Sequence, residues 1–138
     1  MIFLLLEYVK KYYNEEYNLN CAETIMYAAN DAYSLNLDKN TLRTMSAFGG
    51  GMCIGDTCGA ITGALAVLGI IFTKQKSHES DKIKKLTVEF FNKFSVTLGM
   101  KNCIELKNEY FNNEERCSKM LYTSAEILEQ LIKEYNVA

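Results

Sequence analysis

The sequence predicts an all-α fold: a single compact bundle of about five to six helices, with a glycine-rich loop leading into a buried central helix. Two observations carry this expectation. The 138 residues contain no proline, the residue that most reliably breaks a helix. Apolar residues also return every three or four positions over long stretches, the period of a helix packed on one face. Strand-type alternation is weak throughout. The length is that of one domain, so 1–138 is read as a single helical cysteine-motif domain. With 49% apolar and 23% charged residues, it has the composition to bury a core without disulfide staples.

Taken in order, a first helix is expected over about Ile2 to Glu16, with Leu5, Val9, Tyr12 and Tyr13 as its apolar stripe. The apolar start meets Glu7, Lys10 and Lys11 before any small-residue cleavage site, so it reads as packed helix and not as a leader. The second helix begins at Asn20-Cys21-Ala22-Glu23, where Asn followed three residues later by Glu resembles a capping box. Its inner face is Cys21, Ile25, Ala28 and Ala32. A short third helix, about Asp38 to Phe48, faces Leu42 and Met45 inward and is broken by Gly49-Gly50-Gly51.

The central helix starts near Cys58 and runs to about Phe72. Gly55, Gly59 and Gly63 fall four apart, a spacing that lets a neighbouring backbone approach closely. The run Thr57 to Thr73 is uncharged but short for a bilayer span, and burial in the bundle is the expectation. A fifth helix, about Ser80 to Leu98, turns Ile83, Leu86, Phe90, Phe94 and Leu98 inward and stops at Gly99. Asn102-Cys103-Ile104-Glu105 echoes the earlier Asn-Cys-x-Glu start. The last helix is expected over about Glu114 to Tyr135, with Cys117, Leu121, Leu128, Leu131 and Tyr135 inward.

Composition also narrows function. A balance of 15 Lys+Arg against 17 Asp+Glu leaves a formal charge of −2, which supplies no pull toward a phosphate backbone. No nucleic acid and no membrane insertion are expected, and the absence of a secretory pattern makes a cytoplasmic protein with reduced thiols the working assumption. The Lys74–Lys85 stretch reads as a wet helix face, and His78 as a solvated loop residue. A homodimer through an exposed helix is one partner arrangement; a redox partner or thiol substrate is another.

The chemistry is expected in the cysteines. Cys21, Cys58 and Cys103 fall at predicted helix starts, where unpaired N–H groups and the macrodipole favour a thiolate. Burial in an apolar pocket opposes this, and the sequence leaves the outcome open. Cys21, Cys58 and Cys117 also lie on inward stripes, so a thiol cluster at one end of the bundle is the prediction. The loop Gly49-Gly50-Gly51, with Gly55 and Gly59 beyond it, lacks the Lys-Ser/Thr of a phosphate loop; its uses are tight packing or N–H donors beside Cys58. No Cys-x-x-Cys occurs, which weakens zinc, whereas four thiolates from separate helices could serve an iron–sulfur cluster.

The cysteine pattern resembles the C_GCAxxG_C_C family, whose members are proposed to be redox-active. The first hallmark corresponds to Cys21; the central Cys-Gly-Ala-x-x-Gly motif is Cys58-Gly59-Ala60-Ile61-Thr62-Gly63; the last two hallmarks fall on Cys103 and Cys117. Phe48-Gly49-Gly50-Gly51-Met52 is similar to the family's glycine-rich lead-in. Cys53 stands outside the pattern.

Three functions follow as expectations. The first is a thiol–disulfide redox protein in which Cys21, Cys58, Cys103 and Cys117 gather without a cofactor, Cys58 attacks because its glycine flanks leave it least shielded, and a partner cysteine resolves the intermediate. Gly49, Gly50, Gly51, Gly59, Ala60 and Gly63 are its backbone support. Closure of Cys21 to Cys103 is one of three connectivities. The second is an electron-transfer module whose same four cysteines, Cys21, Cys58, Cys103 and Cys117, hold an iron–sulfur cluster or other metal. The third is a non-catalytic interaction domain.

Overall fold

A computed structural model describes residues 3–136. Among them are seven α-helices: α1 (Leu4–Tyr12), α2 (Cys21–Ala32), α3 (Lys39–Arg43), α4 (Gly59–Phe72), α5 (Lys82–Leu98), α6 (Cys103–Tyr110) and α7 (Ser118–Tyr135). The five longest make the expected bundle, α3 is the predicted short third helix, and α6 brings the number to one above the prediction. No strand occurs among the described residues; Thr57–Asn102 and Asn112–Arg116 form isolated antiparallel bridges.

Helix α4 is central, packing on α2, α5 and α7, while α1 closes the bundle against α2 and α7. Its buried residues Ala60, Ile61, Ala64, Val67 and Leu68 meet Leu86, Phe90 and Phe94 of α5 and Leu121, Leu128 and Leu131 of α7 in one core. The i, i+4 stripe expected on α5 is the buried one, apart from the half-buried Ile83. Close approach of α4 to α2 depends on the glycine spacing. A Cβ at Gly63 would lie 2.7 Å from the Ala22 carbonyl oxygen and 2.9 Å from its Cα, closer than a side chain tolerates. Ser124 of α7 fastens the same end, donating a buried hydrogen bond of 2.7 Å to the Ala60 carbonyl.

Three boundaries differ from the sequence reading, each for a local reason. The predicted start of the first helix at Ile2 lies outside the described residues. At its other end α1 stops at Tyr12 and not Glu16, because the Asn14 side chain accepts the Glu16 N–H and Asn18 turns left-handed (φ 53°). Helix α3 ends at Arg43, after which successive turns carry the buried Met45 into the core. Helix α7 starts at Ser118 and not Glu114. Asn112 Oδ1 accepts the N–H groups of Glu114 and Glu115, and Arg116 takes a left-handed φ of 53°. Such side-chain-to-backbone bonds offer the chain an alternative to helix.

Candidate functional site

All four hallmark cysteines occupy helix starts. Cys21 and Cys103 are the first residues of α2 and α6, and Cys58 and Cys117 are the N-caps of α4 and α7. Moving the α7 boundary from about Glu114 to Ser118 thus turns Cys117 from a residue inside the helix into its N-cap, a fourth helix-start thiol. The four helices direct these ends to one cavity of about 260 Å³, lined by Cys21, Cys58, Cys103 and Cys117. The predicted gathering of thiols at one end of the bundle is therefore present. All five cysteines are free thiols.

Local backbone chemistry fixes each sulfur. Asn20 accepts the Glu23 N–H (2.8 Å) while the Glu23 carboxylate accepts the Asn20 N–H (2.9 Å), a complete capping box that orients Cys21. The Asn20 amide also donates to the carbonyls of Met45 and Ser46, both at 3.2 Å, tying the glycine-rich segment to α2. Cys58 and Cys103 are set side by side by the Thr57–Asn102 bridge, with Cys58 N–H donating to Lys101 O (2.8 Å) and Cys103 N–H to Asp56 O (2.6 Å). The Cys117 N–H donates to the Tyr13 hydroxyl at 2.9 Å.

The glycine segment makes an unusual turn. Gly50, Gly51, Met52 and Cys53 all have φ between 55° and 65°, a left-handed run that costs each non-glycine residue about 1–2 kcal/mol. At Gly51 the sterics are absolute, since any Cβ would strike the Asp56 backbone. Gly50 and Gly59 line the cavity, Gly49 is buried against the Asn20 side chain, and Ala60 and Gly63 serve core packing. Cys53 is exposed on this turn with its thiol toward the Ala47 carbonyl and does not line the cavity. His78 sits exposed on the short 3₁₀ turn Ser77–Glu79, also apart from it.

The thiols divide by environment. Cys117 is pulled down to about 6 by the hydrogen bond from the Cys21 thiol, with help from Lys107, the Tyr13 hydroxyl and Arg116, against the opposing effect of burial. Cys21 moves well above its ordinary value, first because its thiol is that donor and then because it is desolvated. Burial pushes Cys58 up to about 11, although the Ala60 and Ile61 N–H groups oppose it. Cys103 is also raised by burial, with Lys107 working the other way. Contrary to the expectation from its glycine flanks, Cys58 is the most shielded of the three buried thiols, at 4% exposure against 8% for Cys103 and Cys117.

The residues that make this difference escaped the sequence reading. Tyr13 reads as core stripe in the sequence, and no motif there singles out Lys107 or Arg116. The available signals were the i, i+4 spacing of Cys103 and Lys107, which places them on one helix face, and the adjacency of Arg116 to Cys117. Each cation rests on an aromatic ring at the cavity wall: Arg116 lies 4.3 Å from the Tyr13 centroid and Lys107 5.9 Å from that of Phe111.

No helix among the described residues is long and apolar enough to cross a membrane. Neither a curated protein nor a solved structure matches the chain. A family model described as "Putative redox-active protein (C_GCAxxG_C_C)" matches residues 19–131, a span that contains the whole cysteine-lined cavity except Tyr13. The match covers most of the chain and includes all four cavity cysteines, so the chain belongs to the C_GCAxxG_C_C family.

Proposed function

We propose that the protein carries out thiol–disulfide exchange, with Cys117 as the attacking thiolate and Cys21 as the resolving thiol. The observation that carries this reading is that Cys21 and Cys117 line one cavity together with Tyr13, Lys107 and Arg116, an environment that lowers Cys117 and raises Cys21. The attack assigned to Cys58 from sequence moves to Cys117 on this ground, since the thiolate is the nucleophile.

The steps balance as follows. The Cys117 thiolate attacks one sulfur of a substrate disulfide; a Cys117–substrate bond forms, the substrate S–S bond breaks, and the released thiolate takes a proton from solvent. Cys21 then gives up its proton and attacks the Cys117 sulfur, forming Cys21–Cys117 and releasing the second substrate thiol. Two protein thiols are oxidised and one disulfide is reduced to two thiols, and the reverse sequence oxidises a dithiol substrate.

An iron–sulfur cluster would require the four sulfurs to surround one centre. Among the described residues no three Cys, His, Asp or Glu side chains are disposed for one metal ion. Peptide mapping of the oxidised protein tests the pairing: a Cys21–Cys117 disulfide is expected, and in Cys21→Ser a mixed disulfide should persist on Cys117. Oxidation that instead links Cys21 to Cys103, or a persistent adduct on Cys58, would contradict the assignment.

A further inference from the structure

Resting on the exchange reading above, we infer that the substrate is a small anionic disulfide, whose charge Lys107 and Arg116 hold at the cavity wall above Cys117. Four observations converge. The cavity has two cations and no Asp or Glu in its lining. Neither cation forms an ion pair among the described residues, although unpaired charges near one another normally recruit a counter-charge. Both are held on aromatic rings that themselves line the cavity. Both cations lower Cys117, so a Cys117 thiolate formed in the proposed reaction would balance one of them and leave one positive charge for a ligand.

Size and access make the substrate small. The cavity, at about 260 Å³, lies just below the roughly 300–1,000 Å³ of usual small-molecule sites. Cys117 is recessed, with 8% of its surface exposed, and displacement at sulfur needs the attacking, central and leaving sulfurs nearly in line. A disulfide fixed in the surface of a folded protein must bring its flanking chain up to this recessed sulfur, whereas a free low-molecular-mass disulfide can enter with its carboxylates toward Lys107 and Arg116.

The test uses the reduced full chain and three probes of similar size: dithiodipropionate with two carboxylates, neutral bis(hydroxyethyl) disulfide, and cystamine with two ammonium groups. Mixed-disulfide formation on Cys117 is followed by stopped-flow and mass spectrometry. Each rate is divided by that of the same probe with mercaptoethanol, which removes differences in leaving-group acidity. The corrected preference for the dianion over the dication is expected to be about tenfold or more at low salt, and to shrink as salt is added. In the Lys107→Gln/Arg116→Gln variant it should approach unity. Because the preference is a ratio within one variant, loss of thiolate cancels from it. Should the double variant not fold, the exposed-helix change Lys107→Gln alone is expected to lose about half of the logarithmic preference.

Exchange without a charge preference in the wild type, or a preference that survives the substitutions, would overturn the anion inference and leave the exchange reading standing. A folded-protein disulfide reacting faster than dithiodipropionate would overturn the small-molecule substrate. No reaction with any probe would overturn the exchange reading itself.

Discussion

The cavity has two halves built from the same parts with opposite outcomes. On the α2–α7 side, Cys21 and Cys117 stand at two helix starts, and their surroundings pull Cys117 down to about 6 while Cys21 is raised. On the α4–α6 side, Cys58 and Cys103 also meet at two helix starts, and both are pushed toward the neutral thiol by burial. A helix N-terminus is therefore insufficient to make a thiolate. What distinguishes Cys117 is a thiol donor in contact, a tyrosine hydroxyl and two nearby cations, while Cys58 has two backbone N–H groups and loses to desolvation.

The strongest way to break this comparison is alkylation of the reduced protein near pH 7. Cys117→Ser should lower the rate of the fastest thiol by about a hundredfold, since the remaining cavity thiols are scarcely ionised there, whereas Cys58→Ser should leave that rate unchanged within about twofold. Rapid, quantitative iodoacetamide mapping distinguishes the two, with Cys53 counted separately as the exposed thiol.

Packing between the halves gives the next largest effect. Because a Cβ at Gly63 would sit 2.7 Å from the Ala22 oxygen, Gly63→Val should destabilise by about 3 kcal/mol and displace Cys21 relative to Cys58. Urea unfolding measures the loss; an unchanged midpoint would mean that α4 and α2 are less closely packed than described.

Removing the donor sharpens the account of the active half. A hydrogen bond to a charged group is worth about 1.5–3 kcal/mol, so Cys21→Ala should raise the Cys117 pKa by about one unit or more. At pH 6 its reactivity should fall about tenfold and recover as pH rises. The signs for stability also differ between halves. Cys117 has a folded pKa below its unfolded value, so it contributes stability above about pH 9 that is lost as pH falls through about 6. Cys58 has a raised folded pKa, so its contribution is present below about pH 9 and is lost as pH rises through about 11. Melting curves across pH should show the acid limb flattened in Cys117→Ser and the alkaline limb flattened in Cys58→Ser.

The smallest effect separates the two Asn-Cys-x-Glu segments. Asn20→Ala should cost about 1 kcal/mol through the lost capping box. Asn102→Ala should cost less than half of that, because the Asn102 side chain makes no cap and its oxygen is buried without a partner. Equal losses would mean that both segments cap alike.

These two segments also show how far the sequence could be read. Identical spacing announced two helix starts and both exist, but the cap forms only at α2. At α6 the backbone on either side of Asn102 is committed to Asp56 and Lys101–Cys58 hydrogen bonds, which are non-local and invisible to a motif. The bundle, the α5 face and the Gly99 stop were legible because periodicity and glycine act locally. The α7 start was not, because apolar period alone could not reveal the Asn112 turn or the left-handed Arg116 that place Cys117 at a helix end. The cysteine gathering was legible from their positions at helix starts and on inward stripes. Which thiol is lowered was not, since that depends first on Cys21 and then on Lys107 and Tyr13, residues 96, ten and 104 positions from Cys117.

The central claim is that Cys117 is a thiolate at neutral pH while Cys58 is a thiol. Ultraviolet thiolate absorbance of the reduced protein, titrated from pH 4 to 10 in the wild type, Cys117→Ser and Cys58→Ser, tests it most directly. One thiolate should appear with a midpoint near 6 in the wild type and in Cys58→Ser, and vanish from that range in Cys117→Ser. A low-pH thiolate that persists in Cys117→Ser and is lost in Cys58→Ser would contradict the account.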